Sequence, residues 1–313
     1  MPISFPTLPR LVKLEVLSNM TPFELFSLSQ CSKRCTELVP LAGTKDYQYI
    51  IDLSNFTITI RTGSIQQYTF SFGGTVPDAF SISSQNPILE LKRFLLKFFD
   101  VFRSKQIRWF DTGIQNFDNF KSISETLIER ECSIWKLHFQ IQQVKETEEL
   151  ENILSKLQIT SCLSFAKSVN LGLRFKCKRL KFPQELRIDN ALWFGIDQLC
   201  SAVNSSVKIE LHGSLLSIED MSSFLEKWMA GEFREMTTFL IQIHSHRFDS
   251  NDARVLGMQL SIQSQQLTVH RRFLGRFYGC VYNGIIVKNV DGVSAVLKFE
   301  TGDFNIFHFM VLA

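Results

Sequence analysis

Few residues of this 313-residue chain are spaced for covalent chemistry. His244 and His246 stand two apart on or beside a predicted strand, so their side chains point the same way, with Asp249 nearby. That trio is the best metal-ligand pattern present, yet polar residues at a strand end account for it more simply. Gly73-Gly74 lacks the lysine and the helix start of a phosphate loop. A nucleophile elbow, an H-E-x-x-H pair and the protein-kinase set are all missing from the sequence. Cys31 and Cys35 fall one turn apart on one predicted helix and read as core thiols rather than ligands. The seven cysteines are odd in number and follow neither a metal-finger nor a disulfide spacing. The sequence therefore predicts no catalytic residue, no metal and no cofactor: a protein that binds rather than transforms.

Two basic-aromatic clusters could do the binding. One is Arg174, Lys176, Lys178, Arg179 and Lys181 with Phe175 and Phe182. The other is His270, Arg271, Arg272 and Arg276 with Phe273 and Phe277. Such interleaving suits RNA, through stacking and phosphate contact. It suits an acidic protein partner equally well, or a solvated face laid over packed rings. A net charge of only +3 weighs against nucleic acid as the main partner.

The composition is that of a globular protein, 45% hydrophobic and 21% charged, and its 29 phenylalanines promise a Phe-rich core. No uninterrupted apolar segment opens the chain, and the most apolar run, FLLKFFDVF, is cut by Lys97 and Asp100. The expected compartment is therefore the cytosol or nucleus, with no membrane partner, and the sequons at Asn19, Asn55 and Asn204 read as chance matches.

Binding residues need elements to hold them. Leu8 to Leu38 reads as two or three short helices with more apolar surface than so small a bundle can hide. Thr21, Pro22 and Glu24 form a capping box with proline at the first helical position, and Lys33-Arg34 is expected near that helix's end. Strands follow at Tyr47–Leu53, Phe56–Arg61 and Gln67–Phe72, then a loop over Gly73–Pro87 and a helix over Leu89–Phe102. Between about 105 and 245, five strand-like runs alternate with helices. The runs are Ile107–Phe110, Trp135–Ile141, Ser168–Phe175, Ser206–His212 and Thr238–His244. The helices are Asp118–Arg130, Glu146–Leu157, Ala191–Val203 and Ile218–Met229. Right-handed crossovers would stack them with strands on one face and helices on the other, as an irregular leucine-rich-repeat-like region. From about 255 to 313 the pattern is β, with Val281–Lys288 and Val293–Phe299 flanking an Asp291-Gly292 turn and a last run at Phe304–Val311. The fold class is mixed, α+β or α/β.

The N-terminal pattern of Leu8-Pro9, an apolar helix, M-T-P-x-E-L and L-S-x-C-S-K-R resembles an F-box over roughly residues 5–40. One departure is Cys35, which stands where many F-boxes carry tryptophan. S-x-x-x-M-x-x-F-L-x-x-W at Ser217–Trp228, with the β-rich tail beyond, resembles the F-box-associated type 2 region of a large nematode family. The resemblance implies an F-box over 1–42, a substrate-recognition region over 43–313, and no enzymatic activity. It also implies docking on a Skp-type adaptor, and through it a cullin, by Leu8, Pro9, Leu14, Val16, Leu17, Leu25 and Leu28. An unidentified target protein would be the other partner.

Overall fold

In a computed structural model the backbone is described for residues 5–63, 66–74, 76–114, 116–142, 144, 146–173, 175, 177, 182–233, 236, 240–245, 247–248, 254–255, 258–259, 265–273, 276–300 and 305–312; side chains are described for these except residue 6 and residues 254–283. The chain forms two compact units, one of residues 1–141 and 156–160, the other of 142–155 and 161–313.

The first unit opens with helices α1 (Arg10–Ser18), α2 (Pro22–Cys31) and α3 (Lys33–Leu38). The capping box at Thr21 forms as the sequence predicts: Glu24 N–H donates to Thr21 Oγ1 at 3.3 Å, and Thr21 N–H donates to the Glu24 carboxylate at 2.7 Å. Ser32 is the departure. Its backbone is extended and its hydroxyl accepts from Cys35 N–H at 3.2 Å, so it ends one helix and caps the next. Cys31 and Cys35 therefore lie on different helices, and Lys33-Arg34 opens α3 rather than closing α2.

Behind these helices lies a sheet of β1 (Gln48–Asp52), β2 (Thr57–Thr62), β3 (Gln66–Ser71), β4 (Ala79–Ser81), β5 (Gln106–Asp111) and β6 (Ser133–Phe139). Its order is β4-β3-β2-β1-β5-β6; β1, β5 and β6 run parallel, and β2 is antiparallel to both β1 and β3. Strand β4 falls in the stretch expected to be loop. Helices α4 (Pro87–Phe102) and α5 (Phe117–Glu129) are the crossovers that parallel pairing requires. They cover one sheet face: Tyr49 stacks on Phe98 and meets Phe99 edge-on, both of α4, and Phe110 and Phe139 meet Phe120 of α5. About half of the 29 phenylalanines of the sequence fall in this unit.

Next in sequence come α6 (Thr147–Lys156) and β7 (Gln158–Phe165). The second unit adds β8 (Glu185–Ile188), α7 (Ile196–Ala202), β9 (Lys208–Ser214), α8 (Ile218–Met229) and β10 (Leu240–Ser245). Beyond lie a two-stranded pair, β11 (Arg254–Val255) with β12 (Met258–Gln259), and a meander of β13 (Gln265–Phe273), β14 (Arg276–Lys288), β15 (Ser294–Glu300) and β16 (Ile306–Val311). The order is β7-β8-β9-β10-β16-β15-β14-β13, parallel as far as β10 and antiparallel beyond. Gly292, at φ 81°, closes the predicted Asp-Gly turn between β14 and β15.

Two expectations fail in this unit. Ser168–Phe175 is not a strand, because Gly172 turns left-handed and the Asn170 side chain accepts from its N–H at 3.1 Å. The strand lies earlier, at β7, where Thr and Ser among Ile159, Leu163 and Phe165 hide the apolar period. The helix predicted over Ala191–Val203 begins only at Ile196, since Gly195 is extended and hands its N–H to Gln198 Oε1 at 2.7 Å. The segment 166–184 carries no helix among the described residues, so a leucine-rich-repeat-like description is not confirmed. The mixed α/β class, with a helical N-terminal region and largely parallel strands, stands.

Candidate partner-docking surface

Helix α1 buries one residue, Leu17, and leaves Leu11 80%, Val12 43% and Val16 42% exposed. Among the described residues nothing covers this stripe on the nine-residue helix. Of the residues singled out from the sequence, Pro9 and Val16 lie at the surface, and Leu8, Leu14 and Leu28 are half-buried. Leu17 and Leu25 are fully buried in the bundle and form its frame. Leu11 and Val12 were legible as apolar positions but not as surface. The signal was that α1 is apolar nearly all round, which one buried face cannot absorb.

Residues 5–40 match the F-box domain, and residues 175–241 match a second family, F-box associated. The chain carries an F-box domain. Its F-box comprises α1 to α3, and the associated match runs from Phe175 through β8, α7, β9 and α8 to the start of β10. Both families are typically non-catalytic adaptor modules, and F-box domains typically bind a Skp-type adaptor and through it a cullin. No curated protein and no solved structure matches the chain.

Within the F-box-associated match, the loops after β8 and β9 meet in a cleft of about 330 Å³ lined by Leu192, Trp193, Phe194, Ile196 and Leu216, with Leu173 beside them. Ligands in parallel sheets gather at this carboxyl edge of the strands. Trp193 is buried against Phe165 and Phe175, and its Nε1 has no hydrogen-bond partner among the described residues.

The basic-aromatic clusters resolve only in part. Phe175 and Phe182 are core residues, packed on Trp193 and Phe194, and so are not free to stack on a base. Arg174, Lys176, Lys178, Arg179 and Lys181 lie outside the described residues, as do the side chains of His270 to Phe277. His246 and Asp249 lie outside them too. The histidine partner that the structure gives His244 is His212 on the neighbouring strand, stacked at 4.1 Å. Among the described residues no group of three His, Cys, Asp or Glu could hold a metal, and no helix is long and apolar enough to cross a membrane.

Another polar cluster lies in the first unit. Asp111 accepts from Gly113 N–H at 3.0 Å and from Gln140 Nε2 at 2.6 Å, and lies 3.2 Å from His138 Nδ1. Burial alone would raise its carboxyl pKa; the bonds from His138, Gly113 and Gln140 outweigh burial and hold it below the usual carboxylate range. A carboxylate tied down on three sides serves the turn after β5 rather than acid–base chemistry.

Proposed function

We propose that this protein is the substrate-recognition subunit of an SCF (Skp–cullin–F-box) ubiquitin ligase. The observation that carries the reading is the exposed Leu11, Val12 and Val16 stripe on the first helix of a segment matching the F-box domain. Pro9 and the half-buried Leu8, Leu14 and Leu28 extend the docking face, while Leu17 and Leu25 hold its shape from beneath. The remainder of the chain would hold a target protein. Such a subunit accelerates ubiquitin transfer by tethering, which raises the effective concentration of a target lysine without chemistry of its own. The reading requires no cofactor and carries with it a cytoplasmic or nuclear location.

Co-expression with a Skp-type adaptor and size-exclusion chromatography test it. The wild-type chain should co-elute with the adaptor, and Leu11→Asp with Val16→Asp should not, because each buried apolar contact is worth about 1.5–3 kcal/mol. Both positions are exposed, so the melting curve should hardly move. Undiminished co-elution of the double variant would remove the assignment.

A further inference from the structure

The cleft beside Trp193 is built by the loops after three successive parallel strands. Leu173 and Phe175 follow β7, Leu192 to Ile196 follow β8, and Leu215 and Leu216 follow β9. Hydrogen bonds tie these loops together and so fix the walls. Asn190 Nδ2 donates to the Val169 carbonyl at 3.0 Å, joining the first loop to the second. Ala191 N–H donates to the His212 carbonyl at 2.8 Å, joining the second to β9. Ser245 Oγ of β10 lies 3.0 Å from the Ser214 carbonyl oxygen and 2.6 Å from that of Leu216, and its hydroxyl holds the third.

Three of the lining side chains are polar, and two of them are already engaged. Gln198 Oε1 accepts from Gly195 N–H at 2.7 Å, and the Asp220 carboxylate accepts from Ser217 N–H at 2.8 Å, each as part of a helix cap. Trp193 is the third. It is only 5% exposed, and its Nε1 is buried without a hydrogen-bond partner among the described residues. The rings around it, Phe165, Phe175 and Phe194, carry no oxygen or nitrogen to accept from it. A buried donor left in this way is costly, and its place in a cleft wall points to an acceptor supplied from outside the chain. The mouth of the cleft is apolar, with Leu173 68% and Leu192 37% exposed.

We propose that this cleft takes a large apolar side chain of an extended target segment, a backbone carbonyl of which accepts from Trp193 Nε1; this deepens the adaptor reading and rests on it. Size and rim together select a chain over a small molecule. A volume of about 330 Å³ is at the lower end for small-molecule sites, and a ligand engulfed in it would leave Leu173 and Leu192 in water. A segment crossing the mouth covers both leucines while one side chain enters. Its main chain carries a carbonyl at every residue, so an acceptor for the indole N–H arrives with the entering side chain. Asp220 in the wall disfavours an acidic side chain at that position. Because the loops are already tied to one another, little ordering is left to be done on binding.

The test is selection of a random peptide library on the full-length protein, then titration of an enriched peptide followed by anisotropy and by NMR of the indole N–H groups. The chain has four tryptophans, and Trp193→Phe assigns the resonance of Trp193. Enriched peptides should share one position held by Leu, Ile, Met or Phe. Leu173→Asp with Leu192→Asp should weaken their binding by roughly tenfold or more, with the melting temperature unchanged because both leucines are exposed. The Trp193 N–H resonance should move downfield as peptide is added, as a proton does on entering a hydrogen bond. A library without a shared apolar position, equal affinity in the double variant, or a bound peptide that leaves the Trp193 resonance in place would each overturn the proposal. Decanoate that outcompetes every selected peptide, or a dimer that the two aspartates dissolve, would overturn it too, giving the cleft to an acyl chain or to a second copy. Co-elution with the Skp-type adaptor, measured on the same double variant, should not change. That measurement succeeds or fails on the α1 stripe alone, so the two readings are separated.

Discussion

Leu11 and Leu17 belong to the same short helix, yet shortening them should have opposite consequences. Leu17 is fully buried, so Leu17→Ala leaves a cavity in a small bundle and should cost about 2–5 kcal/mol in a denaturant melt. Leu11 projects from the surface, so Leu11→Ala should change stability by less than about 0.5 kcal/mol while weakening adaptor co-elution. Equal loss of stability in the two variants would mean that the exposed stripe is not a docking face. Both leucines were recognisable as apolar positions of one helix. Their different fates were not, because a helix that is apolar on several sides does not say which side meets its own chain. Only the placement of α2 and α3 decides that, and Ser32, read from sequence as mid-helix, is what sets α3 at its own angle.

Elements bring together residues that sequence spacing keeps apart. His244 was read against His246, its neighbour along the chain, whereas parallel pairing of β9 with β10 sets it against His212, and β16 adds His308 on the next strand. Such adjacency is a property of strand order, and no local pattern reveals strand order. Burial, reinforced by the nearby His212 and His308, pushes the His244 pKa down to about 4, with Glu210 and Glu300 acting weakly the other way. The unfolded chain titrates near the ordinary 6.5, so between that value and about 4 it binds the proton that the folded state refuses. The stabilisation is present above pH 6.5 and is lost as pH falls through this window. Urea melts in steps across it should show stability declining on acidification, and His244→Gln should flatten the slope. A slope indifferent to the substitution would assign the acid sensitivity to other groups. Strands β5, β6 and β9 and helices α4, α5 and α8 were legible because period and caps agreed in each. Strand β7 was not, because its serines and threonines are buried alongside its apolar residues and erase the alternation.

At the level of the whole molecule, the F-box motif ends near residue 40 but its packing does not. Phe23 of α2 meets Tyr68, Phe70 and Phe80, and Phe26 meets Phe70, Phe94 and Phe98, with centroids 4.8–6.0 Å apart. The helical region is thus one wall of the aromatic core of the first unit, which is where many of the phenylalanines counted in the sequence are used. Removing residues 1–41 would uncover Phe70, Phe94 and Phe98 together. Exposing a buried phenylalanine fully costs about 1.5–3 kcal/mol, so even partial exposure of three approaches the margin of about 5–15 kcal/mol on which a domain stands. The truncated chain should melt at a lower temperature and bind a hydrophobic dye that the full chain ignores; an unchanged melt with no dye binding would show the helices to be a separable appendage. The consequence for function is direct. Loss of adaptor binding on truncation would combine a missing docking face with a damaged core, whereas Leu11→Asp with Val16→Asp alters only the stripe that faces outward. If those two substitutions abolish docking in a chain that melts normally, the F-box does two jobs with opposite faces: α1 reaches for the adaptor while α2 closes the aromatic core of the first unit.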